Sequence, residues 1–260
     1  MTWDPDRYLE FHDLRLRPAL DLMGRISMRA PRNIVDLGCG PGNVAKLLLQ
    51  RWPAAKLTGV DQSDEMLALA RRGLPQAQWI DADISHWRAD EPVELLFSNA
   101  ALHWVEDHPG LFARLAGMVA RDGVMAVQMP ANFSAPSHGL IRTLAASAEW
   151  SDVLGSVRMG EVLEAAAYQL LLSTHFRAVE VWETTYYQQL TGEDAVFEWL
   201  AGSTLVPYFA RLSPELTARF GSQLKAMLTQ VYPQRSDGSV LFPFRRLFML
   251  ARGPFMQCST

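Results

Sequence analysis

The stretch Ile34-Val35-Asp36-Leu37-Gly38-Cys39-Gly40-Pro41-Gly42-Asn43 reads as a buried strand that breaks into a glycine-rich turn and then opens a helix. The next apolar stretch, Leu57-Thr58-Gly59-Val60-Asp61, ends on an acid. A strand, a glycine loop and an acid at the end of the following strand make a cradle for a nucleoside cofactor. Glycines let the backbone come close to a ligand with no Cβ in the way. A carboxylate at Asp61 can accept hydrogen bonds from both ribose hydroxyls.

The spacing narrows the cofactor. A dinucleotide loop reads G-x-G-x-x-G, whereas here Gly38, Gly40 and Gly42 alternate and Asn43 stands where the third dinucleotide glycine belongs. Asp36 lies inside the strand, two residues before the loop. An acid there opposes a pyrophosphate but suits the ammonium of an amino acid. The G-x-G-x-G form with Asp36 resembles the S-adenosylmethionine (SAM) loop of class I methyltransferases. A generic glycine turn in an α/β protein is the plainer alternative, and the combination of loop, Asp36 and Asp61 argues against it.

Working outward, strand and helix alternate. Val44, Leu47 and Leu48 form a helical stripe that stops before Pro53, and Ser63 can cap a helix carrying Met66, Leu67 and Ala70. Further strands are expected over Gln78–Asp83, Val93–Asn99 and Val124–Gln128, with a helix carrying Leu111, Phe112, Leu115, Met118 and Val119 between the last two and Asp122-Gly123 as a turn. This alternation implies a parallel sheet with right-handed crossovers, ligands binding at the carboxyl ends of the strands. Those ends carry Gly38, Asp61, Asp83, Asn99 and Gln128-Met129. Leu163, Ala166, Ala167 and Leu170 read as a last crossover helix. Val179–Gln189 and Val240–Arg252 read as a late antiparallel pair. The expected fold is therefore Rossmann-like α/β: a mostly parallel seven-stranded sheet with a C-terminal antiparallel strand pair. One domain over residues 1–260 is expected, with an N-terminal helical cap at 1–30 and helical inserts at 131–160 and 192–232 over the active edge.

The 260 residues carry a net charge of −4 with no block of like charge, which argues against a general nucleic-acid surface but leaves room for a local basic pocket. Cys39 and Cys258, one in the loop and one near the C-terminus, suggest neither a disulfide framework nor a zinc site. With no apolar leader core at Met1–Arg7 and no apolar run of membrane-spanning length, a soluble cytoplasmic protein, monomeric or weakly self-associating, is expected.

Within a SAM-binding frame, Asp83 is placed to accept the adenine amino group, with the backbone N–H of Ile84 near a ring nitrogen. Gln62 and Met66 could wall the adenine, or be an exposed glutamine and a core methionine. Asn99, in the turn after the fourth strand, can offer carbonyls to the methionine end. His103, in the same turn, is open to three roles: base, substrate donor or plain loop histidine. Trp104 reads as packing more readily than as a wall for the sulfonium.

Several segments carry a more specific resemblance. Trp3-x-Pro5-x-x-Tyr8-x-x-Phe11, Arg15-x-Arg17-Pro18, Asp36–Asn43, Gln50-Arg51-Trp52-Pro53-Ala54-Ala55, Ala126-Val127-Gln128-Met129-Pro130, Thr184-Thr185-Tyr186-Tyr187 and Arg246-Leu247-Phe248 together resemble the bacterial trans-aconitate methyltransferases. The resemblance implies methyl transfer from SAM to one carboxylate of trans-aconitate, giving a monomethyl ester and S-adenosylhomocysteine, with no metal. A carboxylate acceptor is anionic at neutral pH, so no catalytic base is required. A tricarboxylate still needs cations and donors, and arginine binds carboxylate with its two-pronged fork. Arg15, Arg17 and Arg246 lie in the resembling segments; Tyr8, Gln128, Asn132, His138 and Tyr186 are neutral or switchable candidates. Strand alternation lets only one of Tyr186 and Tyr187, and one of Arg245 and Arg246, face a pocket; the resemblance marks Arg246. Other readings are the same enzyme class with another small acid, a phenol or an amine, where His103 would have to act as base, or a SAM-binding protein without turnover.

Overall fold

Strand β1 (Asn33–Leu37) runs parallel to β2 (Lys56–Asp61) on one side and to β4 (Val93–Asn99) on the other. β3 (Gln78–Asp81) adds outside β2, and β5 (Val119–Pro130) adds outside β4, both parallel. Among the described residues the strand order is β3-β2-β1-β4-β5-β7-β6, with β6 spanning Phe176–Thr191 and β7 spanning Ser239–Pro254. β7 is antiparallel to β5. The order turns back between β1 and β4, and in such sheets the ligand crevice opens at that point. The computed structural model describes residues 12–255.

The chain divides into two units: Leu16–Pro130 with Val162–Thr184 and Arg246–Thr260, and Met1–Arg15 with Ala131–Glu161 and Thr185–Arg245. In the first, the sheet unit, near-continuous apolar strands are buried on both faces, as a parallel sheet covered by helices requires. Ile34, Val35, Leu37, Leu57, Val60, Leu95, Leu96 and Phe97 are all buried. Helix α1 (His12–Gly24) contributes Ala19, Leu22 and Met23 to this core. The Arg51 guanidinium donates to the carbonyls of Met23 and Ile26, tying the end of α1 to the end of α2 (Asn43–Arg51). α3 (Asp64–Gly73) begins as expected, Ser63 Oγ accepting from the Met66 N–H at 3.4 Å. α4 (His108–Met118) is capped by Asp107, whose carboxylate accepts from the Gly110 N–H at 3.0 Å.

Three expectations shift. β3 stops at Asp81, so Asp83 stands in the loop beyond it. β5 begins at Val119, and Asp122-Gly123 lies inside a bulged stretch between the Val93↔Val119 and Leu95↔Val124 pairings. α7 (Ala165–Ser173) begins after Leu163, and it buries Tyr168 and Leu172 while Leu170 is 73% exposed. Its sequence is apolar nearly all round, and periodicity cannot choose a face; the hydrogen bonds of the Tyr168 hydroxyl choose it.

The second, helical unit has its own core. It holds α5 (Pro136–Ala145), α6 (Ser151–Leu154), α8 (Ala195–Ala201), α9 (Val206–Phe209) and α10 (Pro214–Val231). Trp150 packs edge-on against Phe220 with centroids 5.2 Å apart, and Trp199 meets Phe244 at the same separation. Ser213 caps α10 by accepting from the Leu216 N–H, with Pro214 in the first turn. No helix among the described residues is long and apolar enough to cross a membrane.

Candidate cofactor and acceptor site

The glycine loop is held by its own backbone and by the acid after β2. The N–H groups of Gly38 and Cys39 both donate to the Val60 carbonyl, at 2.8 and 3.0 Å. The Gly40 N–H donates to Asp61 Oδ2 at 2.8 Å, and the Ser63 N–H to Asp61 Oδ1 at 3.0 Å. Asp61 therefore fixes the loop while each oxygen keeps capacity for another donor. Gly38 has φ +75°, and a Cβ there would fall 2.1 Å from that of Ala101, so the chain after β4 rests on it. Gly40, at φ +53°, has nothing within 4 Å of an added Cβ: its missing side chain faces open space.

Asp36 is 1% exposed, and its Oδ2 has no hydrogen-bond partner. Burial, reinforced by the nearby Asp61 charge, raises its carboxyl to about 7, although the Ala45 N–H at the start of α2 donates to it. Burial and the same two carboxylates also raise the Cys39 thiol, so this cysteine is not a nucleophile at neutral pH.

Register assigns the other candidates to one sheet face, because residues paired across strands share a face and the face repeats every second residue. Asp36 pairs with Gly59 and Phe97, Asn99 pairs with Gln128, and Gln128 pairs with Phe248. Asp61, two residues beyond Gly59, and Arg246, two before Phe248, lie on that face as well. Acids thus stand at the β1–β2 end and the buried guanidinium of Arg246 at the β7 end. Between them, Asn99 Oδ1 and both amide atoms of Gln128 are buried without partners. Unpaired buried polar atoms are costly, and such a cluster marks a place where a ligand completes the bonding. Ala100 sits at φ +55°, a left-handed conformation for a residue with a Cβ, and its N–H donates to the Gln128 carbonyl at 2.9 Å. That strained step, which no sequence pattern signalled, turns the chain after β4 across the strand ends.

Asp83 is exposed; its Oδ1 accepts from the Ser85 N–H at 2.8 Å, and Oδ2 lies 3.4 Å from His86 Nδ1. The Ser85 backbone and side chain, then His86, hold this carboxyl below the usual range. It stands ionised as an acceptor, with Ile84 half-buried beside it. Gln62 is exposed and Met66 half-buried at the start of α3. His103 is buried in a short 3₁₀ turn (Leu102–Trp104), its ring 4.7 Å from that of Trp104. Arg17 is exposed on α1; the side chain of Arg15 and all of Tyr8 lie outside the described residues.

Asn132 and Tyr186 belong to the helical unit, and both are buried. Asn132 Oδ1 accepts from the Arg245 N–H at 2.7 Å, while its Nδ2 has no partner. Tyr186 is 5% exposed against 67% for Tyr187, the alternation expected of neighbours on a strand. His138 is held neutral: burial, then the Arg142 charge, lower it to about 4. Among the described residues no group of three or more His, Cys, Asp or Glu is placed to hold a metal ion.

Comparison with known proteins agrees with this geometry. A family model described as a methyltransferase domain matches residues 34–123, the stretch from β1 into β5. The YcgJ protein of Bacillus subtilis superposes with a TM-score of 0.60 over 92% of this chain and 98% of its own, at 13% identity. The fold is that of the Rossmann-like class I methyltransferases. The chain is 43% identical to trans-aconitate 2-methyltransferase of Azoarcus sp. (strain BH72), over 96% of this chain and 98% of the relative. It is also 43% identical to that of Yersinia pestis (strain Pestoides F), over 96% and 97%. The chain belongs to the trans-aconitate 2-methyltransferase family.

Proposed function

We propose that the protein methylates one carboxylate of trans-aconitate with S-adenosylmethionine as donor, and that the opposed charge along one sheet face is what serves the reaction. The residues fit the donor. Asp36 offers a buried, unpartnered oxygen to an ammonium; Gly40 leaves open space; Asp61 keeps acceptor capacity for ribose hydroxyls. Asp83 accepts from the adenine amino group, Ile84 N–H meets the ring, Gln62 and Met66 flank it, and Asn99 takes the methionine end. When bound, SAM would supply an electrophilic methyl on its sulfonium; one carboxylate oxygen would take it as the C–S bond breaks, giving S-adenosylhomocysteine and an uncharged ester group on an acceptor whose other two carboxylates stay ionised.

The chain's own contribution is to hold and to dehydrate. Arg246 supplies the fork for an acceptor carboxylate, and Gln128 an amide N–H beside it. In the sheet unit His103 adds a further donor; Asn132 and Tyr186 of the helical unit, and Tyr8, Arg15 and Arg17 near the N-terminus, are separate candidates for the acceptor. No residue needs to remove a proton, because the acceptor is already an anion. Fixed dipoles in place of water favour a step in which cation and anion neutralise each other. Pre-paid alignment can supply roughly 7–11 kcal/mol of the barrier.

The test is transfer of labelled methyl to trans-aconitate, cis-aconitate, citrate, isocitrate and a phenol. A base-labile ester formed fastest on trans-aconitate is expected. A base-stable ether or amine product, or no acid methylated while SAM binds, refutes the assignment.

A further inference from the structure

We propose that α4 is a two-ended brace that sets two of the cofactor-reading loops of the sheet unit, those after β3 and β4, with Arg114 the positioning residue for the adenine end and His108 for the methionine end. The inference rests on the site reading above. Residues 82–92, between β3 and β4, contain no helix or strand, yet they carry Asp83 and Ile84. The loop has one turn of its own, the Trp87 N–H donating to the Asp83 carbonyl at 2.9 Å, and beyond that turn it needs a hold from outside if it is to present two groups to one ring. α4 holds it. Arg114 Nη2 donates to the Ile84 carbonyl at 2.8 Å and Nη1 to the Trp87 carbonyl at 2.6 Å. One turn further on, Met118 Sδ receives the Ala89 N–H at 3.1 Å. Bonds from a charged donor to backbone are strong, and a planar guanidinium fixes two carbonyls at once.

The other end of α4 holds the turn after β4. His108 Nε2 lies 3.1 Å from the Leu102 carbonyl, and a carbonyl only accepts, so Nε2 carries the hydrogen. In the neutral ring Nδ1 then accepts from the Tyr168 hydroxyl, whose oxygen in turn receives the Leu163 N–H at 3.1 Å. This buried relay fixes the tautomer and through it the turn that follows Asn99 and Ala100. Each acts through a backbone carbonyl, Arg114 on Ile84 and Trp87 and His108 on Leu102.

The two ends are separable by ligand. Affinities are measured for S-adenosylhomocysteine, for S-inosylhomocysteine (the adenine amino group replaced by a carbonyl) and for 5′-methylthioadenosine, which lacks the amino acid. Arg114→Met is expected to cut the preference for the adenine over the inosine compound about tenfold, with partial recovery in Arg114→Lys. His108→Phe is expected to weaken S-adenosylhomocysteine about tenfold while moving methylthioadenosine less than twofold; His108→Gln, which restores an N–H, recovers it. Melting temperatures are recorded for all four. Lowered melting with both ligand ratios unchanged overturns the brace, and so does the same loss of all three ligands in both variants. Asp83→Ala separates this from the site reading. If that substitution leaves the adenine preference intact, the Asp83 assignment falls, and the His108 pair alone decides the brace.

Discussion

The glycine loop after β1 and the loop after β3 face the same task by opposite means. The first is built from its own backbone and the adjacent strand: three left-handed glycines, a shared acceptor at Val60, and Asp61. The second has an Asx turn and a backbone turn at Asp83, and the rest of it is tied to a helix about thirty residues away in sequence. The difference teaches where to look for a lesion. Damage to the first loop acts locally on fold and ligand together. Damage to the second can come from a residue that touches no ligand.

The largest expected effect is at Gly38. Gly38→Ala forces a Cβ to 2.1 Å from Ala101 at φ +75°. Unfolding free energy should fall by about 3 kcal/mol or more, combining left-handed strain with overpacking. Gly40→Ala meets open space and should cost only about 1–2 kcal/mol, all of it backbone strain, while still weakening SAM. Equal losses in denaturant titrations of the two variants would break the account of a self-built loop.

Asp36→Asn comes next. The folded-state value near 7 lies above the ordinary carboxyl value. The native state therefore binds the extra proton between about pH 4 and 7, and stability contributed by this group falls as pH rises through that window. Without cofactor, the asparagine variant should match wild type near pH 4 and exceed it by about 3–4 kcal/mol at pH 8, taking the shift at roughly 1.4 kcal/mol per unit. Its SAM affinity should be weaker and should lose the rise through neutral pH that an ionising Asp36 gives. Identical stability curves would mean that Asp36 is not a strained acid.

Asp61→Ala should then weaken SAM by about a hundredfold, since hydrogen bonds to a charged group contribute roughly 1.5–3 kcal/mol each. Unchanged affinity by calorimetry would remove the ribose assignment. The smallest effect is at Arg246, which lies in neither loop. Arg246→Met should raise the KM for trans-aconitate about ten- to thirtyfold, the loss of one charge-assisted contact, while SAM affinity moves less than twofold. A variant that shifted SAM as strongly as the acceptor would erase the distinction between the two ends of the sheet face.

The same contrast explains what the sequence made legible. The strand–loop–helix at Ile34–Asn43, the acid at Asp61 and the cap at Ser63 are local signals, and each lies where its spacing placed it. That Asn99, Gln128 and Arg246 share a face followed only from register across three strands. The buried side of α7 could not be chosen by period in an almost wholly apolar helix; Tyr168 bonding to His108 chose it. Ala100 in a left-handed conformation and Arg114 beneath the β3 loop left no local trace, because both answer to residues far along the chain.

The central claim is that this site works by holding an acceptor that is already ionised, not by removing a proton from it. The direct test is kcat for trans-aconitate methylation at saturating SAM, from pH 6 to 9, in wild type and His103→Gln. The account predicts a kcat that stays flat across the range in both proteins. A wild-type rate rising through neutral pH, and lost in the His103 variant, would show a working base and contradict it.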